Sequence, residues 1–218
     1  MINRIVGLHF SPRGGTAIIT DQIINELADR IAAECGTEIS CETYDIFRRP
    51  LEIPSFDQDT IAVVAVPVRV GKMPVPALKV LENVEGSGAM TIAVVSYATR
   101  SYGNALYELY RRAEDRGFKV IGAGAFVTEH SGVSEVTLKR PDLKDMQEIV
   151  DFANIAAMKI KRLAGCEIEG MRVKPAPIDV AGRMPVHRIS RLSPKAAAVA
   201  ERTMEKLFRH QNESEWYV

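Results

Sequence analysis

A chain of 218 residues, 46% hydrophobic and 26% charged, has the length and composition of one large globular domain, or of a domain with an extension. Its 28 basic side chains balance 28 acidic ones, which removes the electrostatic argument for nucleic acid or an anionic membrane as partner. No apolar run approaches the roughly 18 residues of a membrane span, and MINRIVGLHF lacks the parts of a signal peptide in series, so the expected location is the cytoplasm. The three cysteines, Cys35, Cys41 and Cys166, form no C-x-x-C pair, so no zinc or iron–sulfur site is expected.

The first apolar run, RIVGLHF (4–10), reads as a strand. It is followed by a segment in which Ile19, Ile23, Leu27 and Ile31 recur every four residues, the period of an amphipathic helix. EISCETYDI (38–46) alternates as a second strand. TIAVVAVPV (60–68) and AMTIAVVSY (89–97) are continuous apolar runs, which suits parallel strands covered on both faces. NALYELYRRAEDRG (104–117) reads as a helix closed by a glycine, and FKVIGAGAFV (118–127) as a fifth strand. A helix is expected from Pro141 to Leu163, with Asp142 in its first turn and Lys159, Lys161 and Arg162 in its last, charges that complement the helix dipole. Strands separated by helices predict a doubly wound α/β fold on a parallel sheet.

Beyond Gly165 the texture changes. Residues 171–218 hold nine basic against five acidic side chains, and MRVKPAPIDVAGRMPVHRISRLSP contains four prolines. We read residues 1–165 as the α/β domain and 166–218 as a Pro-rich arm ending in a helix from Ser193 to His210. Ser193 is a good N-cap there, and Pro194 suits the first helical position.

Between the first strand and the first helix stands FSPRGGT (10–16). A helix begins with backbone N–H groups that lack partners, glycines let the backbone approach an anion, and hydroxyls add donors. Ser11, Arg13, Gly14, Gly15 and Thr16 therefore have the parts of a cup for a terminal phosphate. They equally suit a capped helix start with a flexible turn. A Walker loop is excluded because no lysine precedes Thr16. The near match to a dinucleotide fingerprint, Gly122-Ala-Gly124, lies in a strand and lacks the third glycine. In an open α/β sheet, ligands collect at the carboxyl edges of the strands, near the point where strand order reverses. PVRVGKMPVPAL (67–78) follows the third strand there, and SYATRSYGNAL (96–106) the fourth. Tyr97 and Tyr102 of the latter suit either a flat aromatic ligand or packing beneath the loop.

Five blocks in order, FSPRGGT (10–16), PVRVGKMPVPAL (67–78), YATRSYGNAL (97–106), GFKVIGAGAFVTEHS (117–131) and RPD (140–142), resemble the flavodoxin family. They are most similar to the flavodoxin-like domains fused ahead of ferredoxin modules in anaerobes. The resemblance implies a five-stranded sheet of order 2-1-3-4-5 with FMN at the switch point. It implies that Ser11, Arg13, Gly14, Gly15 and Thr16 surround the FMN phosphate. Pro67, Val68, Arg69, Val70 and Gly71 would border the isoalloxazine ring, together with Tyr97, Ala98, Thr99, Arg100 and Tyr102. His130 and Ser131 would lie near the same edge, His130 in a structural role; His9, His187 and His210 have no spacing that suggests chemistry.

The chain departs from the family pattern at four points. Arg69 stands where an aromatic residue is expected, Ala98-Thr99 replaces Gly-Asn, Arg13 adds a charge to a cup usually built of neutral donors, and the arm takes the place of the ferredoxin module. The net charge of zero also argues against a diffusible shuttle steered toward basic partners. Three readings stand: an FMN-binding electron-transfer protein served by a redox partner or reduced nicotinamide; a scaffold that has lost FMN and works as an interaction module; and an FMN-dependent quinone or flavin reductase whose arm completes a homodimer.

Overall fold

The computed structural model of the chain describes residues 2–35, 38–48, 54–98, 101–129, 139–165, 167–168, 171–172, 175–185 and 215–218. Five strands run parallel: β1 (Arg4–His9), β2 (Ser40–Asp45), β3 (Thr60–Pro67), β4 (Met90–Tyr97) and β5 (Lys119–Val127). Their order is 2-1-3-4-5, as expected. Among the described residues a sixth strand, Glu215–Tyr217, extends the sheet antiparallel to β5. This strand was not expected from the sequence. Three residues are too few for alternation to show.

β1, β3, β4 and β5 are buried on both sides because their residues alternate between two apolar layers, while the edge strand β2 is exposed to half-buried. Ile5, Ile61, Val63, Ile92 and Val94 face α1 (Gly15–Cys35) and α4 (Leu143–Gly165), meeting Ile19, Ile23, Leu27, Ile149, Phe152 and Ala156. Val6, Leu8, Val64, Val66 and Val95 face α2 (Val75–Leu81) and α3 (Ala105–Asp115), meeting Leu78, Leu81, Leu106 and Leu109. The four-residue spacing of α1 is thus its buried stripe.

β5 breaks the alternation once. Thr91 pairs with Val120 but Ile92 with Gly122, so Ile121 is an extra residue. The Lys159 ammonium of α4 donates to the Ile121 carbonyl at 2.8 Å, and burial lowers its pKa from the usual lysine value. Packing requires the second glycine of Gly122-Ala-Gly124 but not the first. A Cβ on Gly124 would lie 2.6 Å from the Phe126 ring, and one on Gly122 would touch Phe152 at 3.7 Å. The two phenylalanine rings meet edge to face at 5.3 Å.

Some boundaries differ from expectation for local reasons. α4 starts at Leu143 rather than Pro141 because Asp142 is its cap: Asp142 Oδ1 accepts from the Lys144 and Asp145 amides, and Asp145 Oδ2 accepts from the Asp142 amide at 2.8 Å. Two further elements, α2 and a hairpin of Glu167–Ile168 with Met171–Arg172, are too short to announce themselves by periodicity. The arm over 175–185 has no regular secondary structure, yet Val180 is buried in the α2/α3 layer with Ile178 beside it. The Arg183 amide donates to Asn104 Oδ1 at 3.2 Å. The expected helix from Ser193 to His210 lies outside the described residues. No helix among the described residues is long and apolar enough to cross a membrane.

Candidate functional site

The carboxyl ends of β1, β3, β4 and β5 share one edge of the sheet, because all four strands are parallel. The β1–α1 loop leaves Pro12 and Arg13 exposed and buries Ser11 and Thr16. Ser11 Oγ accepts from the Ala17 amide at 3.0 Å, and the Gly14 carbonyl accepts from the Ile18 amide at 3.0 Å. The amides of Gly15 and Thr16, at the very start of the 21-residue α1, have no acceptor among the described residues. They carry the positive end of the helix dipole. Gly14 turns the chain with φ +88°, and a Cβ there would meet nothing within 4 Å.

The Thr16 and Ser96 hydroxyls share a buried hydrogen bond of 2.8 Å, which ties α1 to the end of β4. If Ser96 donates, the Thr16 proton is free to point at a ligand. A Thr16→Ala variant is expected to lose about 1–3 kcal/mol of stability even without ligand, since the Ser96 hydroxyl would stay buried and unpaired. Urea unfolding checks it. The Thr16→Ala/Ser96→Ala pair should cost less than the two single changes added together, and a loss under about 0.5 kcal/mol for Thr16→Ala would count against the pairing.

Two residues absent from the sequence-based set join this edge. Thr128, the first residue beyond β5, is 7% exposed, and its Oγ1 is buried with no hydrogen-bond partner. A Cβ on Gly15 would stand 2.2 Å from that oxygen, so Gly15 is where α1 and the β5 terminus touch. His9, at the end of β1, is also buried, and its Nδ1 has no partner. Burial lowers its pKa from the ordinary histidine value, against the pull of Asp45 and Asp21. A hydroxyl after an apolar strand was the only sequence signal for Thr128, and it says nothing about which helix lies opposite.

The loops after β3 and β4 are packed on each other. Arg69 and Lys72 exchange backbone hydrogen bonds at 2.8 and 3.1 Å around Val70 and Gly71, which turn with φ +53° and +67°. The Asn104 amide donates to the Gly71 carbonyl at 2.8 Å. Glu108 of α3, fully buried, accepts from the Met73 amide and from Arg112 Nε, both at 3.1 Å, anchoring the far end of the first loop. Pro67, Val68 and Ala98 are half-buried and Arg69 is exposed. Tyr97 and Tyr102 lie beneath the loops, 2% and 6% exposed, with their rings edge to face at 5.7 Å. Thr99, Arg100, His130 and Ser131 lie outside the described residues. The RPD block holds the end of β5: the Arg140 carbonyl accepts from the Glu129 amide at 3.1 Å, while the Arg140 guanidinium pairs with the buried Asp145.

No protein-family model and no curated protein matches the chain. Among solved structures it is similar to a flavodoxin from the domain Archaea, with a TM-score of 0.51 and 17% identity over 72% of this chain and 99% of that one. The fold is flavodoxin-like. Flavodoxin 2 from Bacillus cereus is similar at 18% identity and a TM-score of 0.42, over 72% of this chain and 99% of its own. An NADH:FMN oxidoreductase is similar at 12% and 0.49, over 72% and 89%. Identities this low make the likeness one of fold. No ferredoxin module is seen among the described residues.

Proposed function

We propose that this flavodoxin-like chain binds FMN and serves a redox reaction, with a partner protein or reduced nicotinamide as electron source. The observation that carries the reading is the pair of amides at the N-terminus of α1, Gly15 and Thr16, which have no acceptor among the described residues. They stand beside the Ser11 and Thr16 hydroxyls at the edge where this fold reverses its strand order. Two N–H donors, a helix dipole and hydroxyls suit a phosphate monoester. In this reading Ser11, Gly14, Gly15 and Thr16 hold the FMN phosphate, and the loops at 67–71 and 97–102 border the ring. FMN, when bound, supplies the capacity to accept and release electrons, and the protein supplies position and surrounding polarity. The paired loops, held by Asn104 and Glu108, keep that border rigid.

The buried packing of Tyr97 and Tyr102 favours a second reading, a scaffold that no longer binds FMN, because neither ring offers an open stacking face. Fluorescence titration with FMN, FAD and riboflavin decides between them. The FMN reading expects FMN to bind at least about ten times tighter than riboflavin, because charged hydrogen bonds to the phosphate each contribute more than neutral ones. Equal affinity, or no binding, would remove it. Oxidation of NAD(P)H by the FMN-loaded protein would then separate a reductase from an electron carrier.

A further inference from the structure

We propose that Thr128 is a direct ligand for the anion at the start of α1: its hydroxyl donates to a phosphate monoester. The identity of that ester as FMN rests on the reading above; the anion site does not. Buried hydroxyls in folded proteins almost always have a partner, and an unpaired one needs an explanation. Thr128 Oγ1 is buried without one, in a residue that is 7% exposed. Valine would fill the same volume at no such cost.

The place of this hydroxyl suggests what it is for. It abuts the α carbon side of Gly15, since a Cβ there would stand 2.2 Å from it and the next two nearest atoms are also Thr128's. Gly15 is the first residue of α1, and its amide and that of Thr16 have no acceptor among the described residues. Two N–H donors and one O–H donor therefore gather at the positive end of a long helix, with Arg13 exposed in the same loop. A dianion with three terminal oxygens matches such a set.

The hydroxyl is also held in place from two directions. The Thr128 amide donates to the Tyr97 carbonyl at 2.8 Å, fixing it to β4. The next amide, that of Glu129, donates to the Arg140 carbonyl, and Arg140 is anchored by Asp145 and Asp142 at the start of α4. The other nearby hydroxyls, Thr16 and Ser96, bond to each other. The Thr128 hydroxyl has no partner among the described residues.

The test compares wild type with Thr128→Val, which keeps the shape and removes the hydroxyl, and with Thr128→Ser, which keeps the hydroxyl. Three readouts are used: FMN and riboflavin affinity by fluorescence titration, thermal stability of the ligand-free protein, and its thermal stabilisation by inorganic phosphate. Thr128→Val is expected to weaken FMN binding about 10- to 100-fold, the loss typical of one hydrogen bond to a charged group, and to leave riboflavin affinity unchanged. Its ligand-free melting temperature should stay level or rise, because a buried unpaired hydroxyl has been removed. Thr128→Ser should bind FMN within a few-fold of wild type. A residue with a merely structural role would lower stability and affinity together.

Unchanged FMN affinity in Thr128→Val overturns the proposal, and so does a fall in its ligand-free melting temperature, which would reveal a partner within the protein. If wild type binds no FMN, phosphate becomes the probe. Stabilisation of wild type by phosphate that is lost in Thr128→Val would uphold the anion ligand while the FMN reading falls. Equal stabilisation of both proteins, or of neither, would overturn it.

Discussion

A Gly103→Val variant is expected to lose about 2–5 kcal/mol of folding stability, a large fraction of the 5–15 kcal/mol typical of a whole domain. Two costs combine. Gly103 has φ +56°, where an L residue costs about 1–2 kcal/mol, and a β-branched one at least as much. A Cβ there would also stand 2.6 Å from Gly71 Cα and 2.8 Å from the Gly71 carbonyl oxygen. These are backbone atoms, so no rotamer change relieves the contact. The loop from Arg69 to Met73 would have to move, straining the Asn104–Gly71 and Met73–Glu108 hydrogen bonds. Overpacking of this kind adds about 1–3 kcal/mol. Urea unfolding gives the loss directly. Gly103→Ala should show much of it, since the offending atom is the Cβ itself, and a loss below about 1 kcal/mol in both variants would mean that the two loops are not packed on each other as described.

That contact also shows where sequence reading stopped. The continuous apolar runs of β3 and β4 were legible because parallel strands covered on both faces need no alternation, and α1 was legible because its 21 residues give the stripe several repeats. Those elements in alternation gave a doubly wound parallel sheet with ligands at its carboxyl edge, while the order 2-1-3-4-5 came from the resemblance of the five blocks to the flavodoxin family. The place of Ser11 to Thr16 between β1 and α1 was legible too, since glycines and hydroxyls between a strand and a helix have a local physical meaning. The contacts that shape the site are not local. Nothing at Gly103 announces Gly71, and nothing at Thr16 announces Ser96.

Glu108 makes the same point for charge. In the sequence it is one acidic residue of an amphipathic helix, an ordinary solvent-facing choice, yet it is fully buried, holding the Met73 amide and Arg112. The near-fingerprint Gly122-Ala-Gly124 is the converse case: its second glycine gives room to the Phe126 ring, so part of a pattern known for phosphates reflects aromatic packing. Tyr97 and Tyr102 had two uses open to them in sequence, and burial beneath the loop is a property only tertiary packing could supply.

A Gly15→Ala variant should fold, lose about 1–3 kcal/mol of stability and bind FMN at least about tenfold more weakly. Backbone conformation is not the reason, because Gly15 does not sit at positive φ and alanine is the better helix former by about 1 kcal/mol. The cost comes from one contact, the 2.2 Å between the new Cβ and Thr128 Oγ1, with the Thr128 Cβ and Cγ2 at 3.4 and 3.6 Å behind it. Turning Cγ2 into the place of Oγ1 makes the clash worse. The rotamer that points a hydrogen at residue 15 relieves it, but moves the hydroxyl away from the unpaired amides; if instead α1 shifts, the amides move. Either response separates the three donors, so a loss of anion affinity accompanies the loss of stability. Adding Thr128→Ala removes the obstruction. In the double variant the stability cost of alanine at position 15 should vanish, giving a coupling of about 1–3 kcal/mol, while FMN affinity stays low because the hydroxyl is gone. Additive stabilities within about 0.5 kcal/mol would show that Gly15 and Thr128 do not touch, and the site would then have to be rebuilt without β5.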